Sequence, residues 1–294
     1  MSTPRVLHLD TGLTMRGGQY QVLQLLRGLR EGARLLAPAG SPLLEAARGL
    51  GIPAGPIDWR AVRAGSREAD LIHCHDARSH TWAALRSRCP FVVSRRVAFP
   101  VQRGLPSWWK YRRAVHFLAI SEAVRGALQQ AGVGPERISV VYDCTPIPEK
   151  VSDRTGAVVS IASEDPGKGG GLLRQTGLDI RFSPDLAVDF ATARVFVYVT
   201  DMEGLGSAAL LAMAYGVPVV ASRVGGLPEI VRHEETGLLV ENTVEAITGA
   251  VHRILEDDGL ARRLAAAGRA LVESRFTMER MAADTLAVYR KVLK

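Results

Sequence analysis

Short apolar runs alternate with longer segments of helical apolar spacing along the first half of the chain. A short run bounded by polar residues indicates a buried strand, and apolar residues that recur every three to four positions indicate one face of a helix. Strand, helix and strand in succession are typical of a parallel sheet. The strands predicted in this half are residues 6–9, 35–37, 71–74, 91–94, 117–120 and 138–142, and the helices are 20–29, 43–50 and 122–131.

Pro146 and Pro148 interrupt this pattern and predict a linker at 145–154. A second series of the same kind follows. Its predicted strands are 158–161, 178–182, 195–199, 217–221 and 237–240, and helices are predicted at 244–256 and 259–274. We therefore predict an α/β protein of two Rossmann-like domains, residues 1–149 and 150–276.

A last helix is predicted to begin after Thr277, a residue type that often caps helix N-termini. An apolar stripe runs along it, formed by Met281, Leu286, Val288 and Tyr289. Such a stripe needs a surface to cover. We therefore expect residues 277–294 to dock on the N-terminal domain.

The composition is that of an ordinary globular protein, with 47% hydrophobic and 23% charged residues among 294. The three cysteines are widely spaced and odd in number, which argues against a disulfide framework and favours a reducing compartment. The first apolar run, 6–9, is too short for the core of a signal peptide. No apolar run reaches the roughly 18 residues that a membrane span needs. We therefore expect a cytoplasmic protein.

The formal net charge of +7 favours anionic partners. Nucleotide phosphates, an acidic membrane face and nucleic acid all fit that charge. Nucleic acid is the weaker interpretation, because the Lys and Arg residues are mostly scattered along helix-like segments and no zinc-finger, RRM or KH pattern occurs. The G-x-G-x-x-G and P-loop patterns are absent as well, so neither an NAD site nor a P-loop is predicted.

A glycine-rich segment follows the strand predicted at 195–199. It consists of the sequence EGLG (203–206), an apolar helix from Ser207 and a second glycine pair, Gly225-Gly226. Glycines let the backbone come close to a ligand, and a helix N-terminus offers free N–H groups and the positive end of the helix dipole. Ligands of Rossmann-like domains lie beyond the carboxyl ends of the strands. The segment therefore predicts a phosphate position near Gly206.

The sequence EGLGSAALLAMAYGVPVVASRVGGLPEIV (203–231), followed by TGLLV (236–240), resembles the donor-binding segment of glycosyltransferase family 4. The resemblance extends to Gly17-Gly18, AISEAVRGAL (119–128), Lys168-Gly169 and RFTMERM (275–281). It implies the GT-B fold, in which two Rossmann-like domains with parallel sheets face each other across a cleft. It also implies a retaining transfer of a sugar from a nucleotide diphosphate sugar to an acceptor hydroxyl, with no metal or other cofactor.

The same resemblance assigns the candidate site residues. Glu203 would hydrogen-bond the donor sugar, Lys168 would stabilise charge on the leaving phosphate, and His75 would hold a sugar or acceptor hydroxyl. The donor-binding positions would be Gly17, Gly18, Gly204, Leu205, Gly206, Ser207 and Leu211. A plain helix start at Gly17 and a solvated loop charge at Lys168 are the simpler alternatives. The family-level acceptor is a saccharide or lipid-linked saccharide of the cell envelope.

His73 and His75 lie on one side of a predicted strand end, which the resemblance places on the acceptor side. Internally satisfied histidines are an equally supported interpretation. A metal site is the least favoured one, because no further ligand cluster at suitable spacing accompanies the pair. Arg95 and Arg96 follow the next strand and are either acceptor-side cations or solvated loop charges.

The sequence WWKYRR (108–113) places aromatic residues beside cations. This composition is typical of a peripheral contact with an anionic membrane face, but a helix packed on its own domain shows it too, and we slightly favour the packed helix. Asp257-Asp258 precedes a glycine between two predicted helices, so a turn explains this pair better than a metal site.

Leu211 departs from the family pattern, since a carboxylate that binds the donor ribose usually stands there. A hydrogen bond to a charged group is worth about 1.5 to 3 kcal/mol, so we expect weaker donor binding. Ala162 replaces a frequent arginine, and the short segment between Lys168 and Glu203 predicts a reduced second sheet of about five strands. Two classes of function follow, an active transferase and a degenerate relative that binds a partner or nucleotide without turnover.

Overall fold

The computed structural model describes residues 3–29, 31–100 and 104–294. The chain divides into two compact units. One runs up to Asp143 and also contains Met278–Lys294, and the other comprises Cys144–Thr277. The change of unit falls a few residues before the boundary predicted at 149. Among the described residues, no helix combines the length and apolar character needed to cross a bilayer.

The first unit is built on a seven-stranded parallel sheet. Its strands are β1 (Val6–Leu9), β2 (Ala33–Ala37), β3 (Ala54–Pro56), β4 (Leu71–Cys74), β5 (Phe91–Arg95), β6 (His116–Ala119) and β7 (Ile138–Val140). They lie in the order β3-β2-β1-β4-β5-β6-β7. Six correspond to predicted strands. The edge strand β3 has the sequence Ala-Gly-Pro, which contains no apolar run from which a strand could be predicted.

The helices of the first unit follow the strands in alternation. They are α1 (Gly17–Leu29), α2 (Pro42–Gly49), α3 (Trp59–Glu68), α4 (Ala77–Arg86), α5 (Leu105–Arg113) and α6 (Glu122–Gln130). Right-handed crossovers in this strand order put α1 and α2 on one face of the sheet and α3 to α6 on the other. In agreement, α1 packs on α2, α3 on α4 and α4 on α5.

The second unit has a smaller parallel sheet. Its strands are β8 (Val158–Ile161), β9 (Ile180–Ser183), β10 (Val195–Tyr198), β11 (Val219–Ser222) and β12 (Leu238–Val240), in the order β12-β11-β10-β8-β9. Its helices are α7 (Gly170–Gln175), α8 (Leu186–Phe190), α9 (Ser207–Ala214), α10 (Leu227–Ile230), α11 (Val244–Glu256) and α12 (Asp258–Arg275). The five strands confirm the predicted reduced sheet. The helices of the short segment between Lys168 and Glu203 are the small α7 and α8, with six and five residues.

The last helix, α13 (Met278–Val292), packs on α1 of the first unit. Its inner side is apolar, since Met281, Val288 and Tyr289 are buried. A Cβ atom at Gly28 of α1 would lie 2.8 Å from the Cβ of Ala282 in α13. The two helices therefore approach so closely that their contact requires glycine at position 28.

This contact predicts that Gly28→Ala destabilises the protein by about 1 to 3 kcal/mol, because the added methyl group overlaps a packed neighbour. In an open helix the same change stabilises by about 1 kcal/mol. Gly126→Ala in α6 is the matched control, since a Cβ there has no neighbour within 4 Å. Thermal denaturation of both variants tests the prediction. A rise in Tm for Gly28→Ala equal to that of Gly126→Ala would contradict the close contact.

Candidate functional site

A charged cluster lies beyond the carboxyl end of the second sheet. The Nζ atom of Lys168 lies 2.8 Å from Oε2 of Glu203, and the two side chains are 26% and 17% exposed. The Tyr198 hydroxyl, at the end of β10, donates to the same Oε2 and accepts from Lys168 Nζ at 3.2 Å. The backbone N–H of Gly204 donates to Oε1 of Glu203 at 3.1 Å. Three donors therefore hold the carboxylate in one orientation.

The loop before α7 brings Lys168 to this position. Asp165 starts a single 3₁₀ turn, Pro166–Lys168, and its side chain accepts from the Gly167 N–H at 3.0 Å. The Gly167 carbonyl in turn accepts from the Thr200 hydroxyl at 3.0 Å. Gly169 has a φ of +67°, and a Cβ there would lie 2.5 Å from Val199. Because the loop is attached to the residues that follow β10, Lys168 faces Glu203.

The glycines around Glu203 are required by close backbone contact. A Cβ at Gly225 would lie 2.0 Å from the Glu203 carbonyl oxygen, and the Gly226 N–H donates to that oxygen at 3.1 Å. Gly206 has a φ of +111° and precedes α9, whose N-terminus no side chain caps. This glycine framework therefore holds the segment 203–206 and leaves the first turn of α9 without a side-chain partner.

The candidate donor-binding side chains differ in accessibility. Leu205 is buried, so its side chain belongs to the core and only its backbone is available to a ligand. Ser207 is exposed at the start of α9. Leu211 is half-buried one helical turn later on the same side of α9. Position 211, where the family pattern has a carboxylate, therefore lies on the same face of α9 as the exposed Ser207.

Tyr198 is a site residue that the sequence pattern does not reveal. Burial, followed by the charge of Glu203 and the hydrogen bond to it, raises the pKa of the Tyr198 hydroxyl well above its usual value. The hydroxyl thus stays protonated and donates to the carboxylate. In the sequence, Tyr198 is one of several large residues in an apolar strand. Its hydroxyl group at the strand end is the one feature from which a polar role could have been predicted.

A second cluster lies inside the first unit and consists of three buried histidines. His8 of β1 pairs in register with His73 of β4, and His75 follows β4 directly. Nδ1 of His8 lies 3.0 Å from Nε2 of His75. The sequence analysis named His73 and His75 but missed His8, although a polar residue inside the apolar run 6–9 was a usable signal.

The three histidines are neutral at physiological pH. Burial, followed by the charge of Arg96, lowers the pKa of His8 to about 3. Burial also lowers the pKa of His73 and of His75 well below the usual value. Arg96 donates toward Nδ1 of His75 at 3.4 Å, so Nε2 of His75 carries the proton that is shared with His8. The cluster is thus a hydrogen-bonded chain that starts from a cation.

His73 does not fit its predicted acceptor-side role. Its side chain is fully buried, its Nδ1 lies 2.6 Å from the Tyr289 hydroxyl and its Nε2 lies 2.7 Å from the Ser94 hydroxyl. Both nitrogens are therefore used to connect β4 with β5 and α13. His75 is 6% exposed and lies nearer the surface of the unit.

The reason given against a metal site is wrong, because the structure supplies a third ligand. Ligand atoms of His8, His73 and His75 all lie within 4.8 Å of one another. A different argument disfavours a cation there. Arg96 already places a positive charge beside His75, and both nitrogens of His73 have partners. Bringing a second cation next to a buried guanidinium is unfavourable.

Arg95 and Arg96 are not solvated loop charges. Arg96 forms an ion pair with Asp143, 3.4 Å from Nε to Oδ1, and the two side chains are only 13% and 5% exposed. Arg95 donates to the Tyr111 hydroxyl at 3.1 Å and to the carbonyl of Phe99. Both side chains therefore serve the internal structure of the unit, and neither presents a free guanidinium to an anionic acceptor.

Gly17 and Gly18 are the first two residues of α1, as the simpler alternative predicted. The loop before them is fixed at both ends. Asp76 accepts from the N–H of Thr11 at 2.7 Å, and Asp10 accepts from the side chain of Gln19 at 3.2 Å. Yet a Cβ at Gly17 would meet nothing within 4 Å. The packing of the fold therefore does not require this glycine.

Two family profiles match the chain. "Glycosyltransferase Family 4" matches residues 5–146, and "Glycosyl transferases group 1" matches residues 180–271. The chain belongs to glycosyltransferase family 4. Its two parallel-sheet units are the two Rossmann-like domains of the GT-B fold.

The chain is also similar to curated proteins of this family. It is 41% identical over 109 residues to the alpha-maltose-1-phosphate synthase of Mycolicibacterium smegmatis, covering 35% of this chain and 28% of that protein. It is 43% identical over 84 residues to the GDP-mannose-dependent alpha-(1-6)-phosphatidylinositol monomannoside mannosyltransferase of Mycobacterium tuberculosis, covering 28% of this chain and 22% of that protein. The matches thus span about a quarter of the length of these relatives.

Among solved structures, Anabaena HepE in complex with UDP and glucose is similar to this chain, with a TM-score of 0.86 and 18% identity. The match covers 98% of this chain and 99% of HepE. Sucrose-phosphate synthase from Thermosynechococcus elongatus has a TM-score of 0.77 and 19% identity, covering 98% and 99%. At these identities the likeness shows the shared fold.

The buried histidines predict that acid weakens the first unit. An imidazole with a pKa of about 6.5 in the unfolded chain and about 3 when folded binds its proton only on unfolding. Stability is therefore full above pH 6.5 and falls by about 1.4 kcal/mol per pH unit for each such imidazole as the pH drops toward 3. The tryptophans all lie in the first unit, so urea unfolding followed by tryptophan fluorescence reports on it.

His80, whose pKa burial lowers to about 3, offers the test because it lies outside the three-histidine cluster. We expect the free energy of unfolding of His80→Gln to fall less steeply than that of the parent between pH 7 and 5. Below pH 6.5 the difference in slope should be about 1.4 kcal/mol per pH unit, the contribution of one buried imidazole. His252→Gln, at an exposed position of the second unit, is the control. An unchanged pH dependence in His80→Gln would show that this histidine is not held neutral.

Proposed function

We propose that the protein is a retaining, metal-independent glycosyltransferase that moves a sugar from a nucleotide diphosphate sugar to an acceptor hydroxyl. The observation that carries the proposal is the Lys168–Glu203 pair at the carboxyl end of the second sheet, just before the uncapped N-terminus of α9. A cation and free N–H groups at this end of a parallel sheet suit a phosphate, and a fixed carboxylate suits sugar hydroxyls.

Negative charge develops on the β-phosphate as the bond to the anomeric carbon breaks and the bond to the acceptor oxygen forms. Groups held in place before the reaction stabilise that charge without reorganisation. Lys168 is such a group, because Glu203 and Tyr198 fix its ammonium. The first-turn N–H groups of α9 add the positive end of a helix dipole.

Glu203 retains capacity for a sugar hydroxyl. Its Oε2 accepts from Lys168 and Tyr198, whereas its Oε1 accepts only from Gly204 among the bonds described. A carboxylate oxygen can accept about two hydrogen bonds. Oε1 is therefore the atom to which we assign the donor sugar, with its direction set by the bonds on Oε2.

The relatives support a nucleotide-sugar donor and a saccharide or lipid-linked acceptor. HepE holds UDP and glucose in its structure, and the mycobacterial mannosyltransferase depends on GDP-mannose and acts on a phosphatidylinositol monomannoside. UDP- and GDP-sugars are both consistent with these names. A role in cell-envelope synthesis on the cytoplasmic side follows from this acceptor class.

Removal of the carboxylate tests the proposal directly. We expect the purified protein to release a nucleoside diphosphate from at least one UDP-, GDP- or ADP-sugar in the presence of a saccharide acceptor. Glu203→Ala should lower this rate by on the order of 100-fold or more, because it removes both the sugar contact and the partner of Lys168. Tyr198→Phe keeps the ring and should cause a smaller loss. The absence of release across a broad donor and acceptor panel would refute the transferase.

Leu211 favours one other function, the binding of a nucleotide or partner without turnover. Leucine offers no acceptor for the ribose hydroxyls, and the exposed Ala162 supplies no cation. This degenerate relative would bind UDP, GDP or ADP in a thermal-shift assay equally well with and without Glu203→Ala. Donor consumption that depends on Glu203 excludes it.

Restoring the carboxylate separates binding from chemistry. We expect Leu211→Glu to lower KM for the nucleotide sugar by on the order of tenfold with little change in kcat, because a hydrogen bond to the ribose acts on ground state and transition state alike. Leu211→Gln, of similar size but uncharged, is the matched control and should have a smaller effect. Steady-state kinetics on both variants tests this. An unchanged KM in Leu211→Glu would place the ribose elsewhere.

A further inference from the structure

The positive charge of the chain is concentrated in one segment. Between Ala77 and Ser121 there are nine Lys and Arg residues and no Asp or Glu. The rest of the chain has 28 Lys and Arg against 30 Asp and Glu. The basic balance of the whole protein therefore comes from the part of the first unit that contains α4, β5, α5 and β6.

Large apolar side chains are exposed in the same segment. Leu85 at the end of α4 is 60% exposed, and Leu105, Trp108 and Trp109 of α5 are 83%, 58% and 38% exposed. Trp108 and Trp109 lie three and four residues after Leu105, so both share a side of α5 with it. An exposed group of large apolar side chains on a soluble unit commonly marks an interaction site.

The other side of α5 packs on its own unit. Nζ of Lys110 donates to the Ala77 carbonyl at 3.3 Å and to the Thr81 hydroxyl at 3.2 Å, both in α4. Tyr111 stacks on Phe117 with 5.2 Å between ring centroids. Packing on the unit therefore accounts for Lys110 and Tyr111, whereas Leu105 and Trp108 remain mostly exposed.

Arginines accompany the exposed aromatic rings. Arg112 lies over Trp108 at 4.7 Å, and Arg113 lies over Trp109 at 5.4 Å. On the neighbouring α4, Arg86 lies over the exposed Trp59 of α3 at 5.2 Å. We call the exposed surface of α5 formed by Leu105, Trp108, Trp109, Arg112 and Arg113 the basic face. It combines exposed apolar side chains with guanidinium groups that lie over the tryptophan rings.

A groove adjoins the basic face, with a volume of about 990 Å³. Its lining is mainly apolar and includes Leu105, Trp108, Tyr111 and Val133, with Arg112 and Arg137 as cations. Arg137 is held there because it donates to the Tyr111 carbonyl at 3.0 Å. An apolar groove with guanidinium groups matches an acyl chain that carries a phosphate.

We propose that the basic face docks on the surface of an anionic lipid bilayer, with Leu105 and the two tryptophans at the boundary between headgroups and acyl chains. Tryptophan prefers that boundary, and arginine pairs with lipid phosphates. Clustered cations next to an amphipathic surface are attracted by the potential of anionic lipids. The docking does not depend on turnover at Glu203.

The charge on the face selects this occupant over others. A second copy of the chain would bring two surfaces of the same positive sign together, which is unfavourable. A nucleic acid would pair its phosphates with the arginines but would leave the side chain of Leu105 exposed to water. A bilayer with anionic headgroups satisfies both the apolar groups and the cations.

Vesicle co-sedimentation of the full chain tests the proposal. We expect binding to vesicles of phosphatidylcholine mixed with phosphatidylglycerol and much less binding to phosphatidylcholine alone. Arg112→Gln/Arg113→Gln and Trp108→Ser/Trp109→Ser should each lower binding by on the order of tenfold or more. Tryptophan fluorescence of the parent should shift to shorter wavelength with the mixed vesicles. Arg262→Gln/Arg263→Gln, which removes the same charge from exposed positions of α12, is the matched control and should bind like the parent.

The results that overturn the proposal are distinct. Equal binding to both vesicle types, or unchanged binding in the two basic-face variants, refutes the docking. An equal loss in the control shows that net charge alone is responsible and refutes it too. Retained binding in the tryptophan variant refutes insertion. If that variant fails to fold by circular dichroism, the arginine variant, changed only at exposed side chains, still decides. Vesicle binding without detectable glycosyl transfer leaves this proposal standing and counts only against the transferase.

Discussion

The partly buried ion pair between Lys168 and Glu203 determines the local structure of the second unit. A carboxylate and an ammonium are unfavourable away from bulk water unless each has a well-placed partner. The fold meets that condition with short loops at the sheet end, where the Asp165 turn places the lysine and the backbone contact at Gly225 places the glutamate. The neutral Tyr198 donates a second hydrogen bond to Oε2 of the carboxylate. Gly169, Gly206 and Gly225 are thus required first by the packing of the protein itself.

The first unit places polar groups in its core by a different means. It contains the neutral imidazoles of His8, His73 and His75, and the most buried of its described ion pairs joins Arg96 to Asp143. The guanidinium faces both the carboxylate and His75, so its charge is compensated. Burial, and to a smaller extent this charge, lowers the pKa of the histidines and keeps them neutral. Desolvated imidazole loses little when neutral, whereas an isolated charge would lose much. The polar clusters of the two units therefore differ: neutral histidines lie beside the Arg96–Asp143 ion pair in the first unit, and a neutral tyrosine accompanies the Lys168–Glu203 ion pair in the second.

The sequence was sufficient to predict the sheet class and most strands, because buried parallel strands are continuous apolar runs. It was sufficient for the family because of the resemblance at residues 203–231. It failed at β3, whose three residues have no apolar pattern. It placed Glu203 and Lys168 in one site by resemblance, but it could not show that Tyr198 joins them, since the contact depends on the side-chain direction at one strand end. Arg96 was misjudged for a similar reason. Its partner Asp143 is distant in sequence, and no local pattern links a charge to a remote carboxylate.

Leu211 concerns the binding of the donor ribose and not the groups proposed to act on the phosphate and the sugar. Helix stability does not favour leucine over glutamate there, since a carboxylate within the first turns of a helix is stabilised by the dipole. The Lys168–Glu203–Tyr198 cluster is held by its own bonds, none of which involves Leu211. The groups that we propose to act on the phosphate and the sugar are therefore held independently of any contact to the ribose. Loss of a ribose contact then lowers affinity while the reacting groups stay in place, which favours a transferase with weak donor binding over an inactive one.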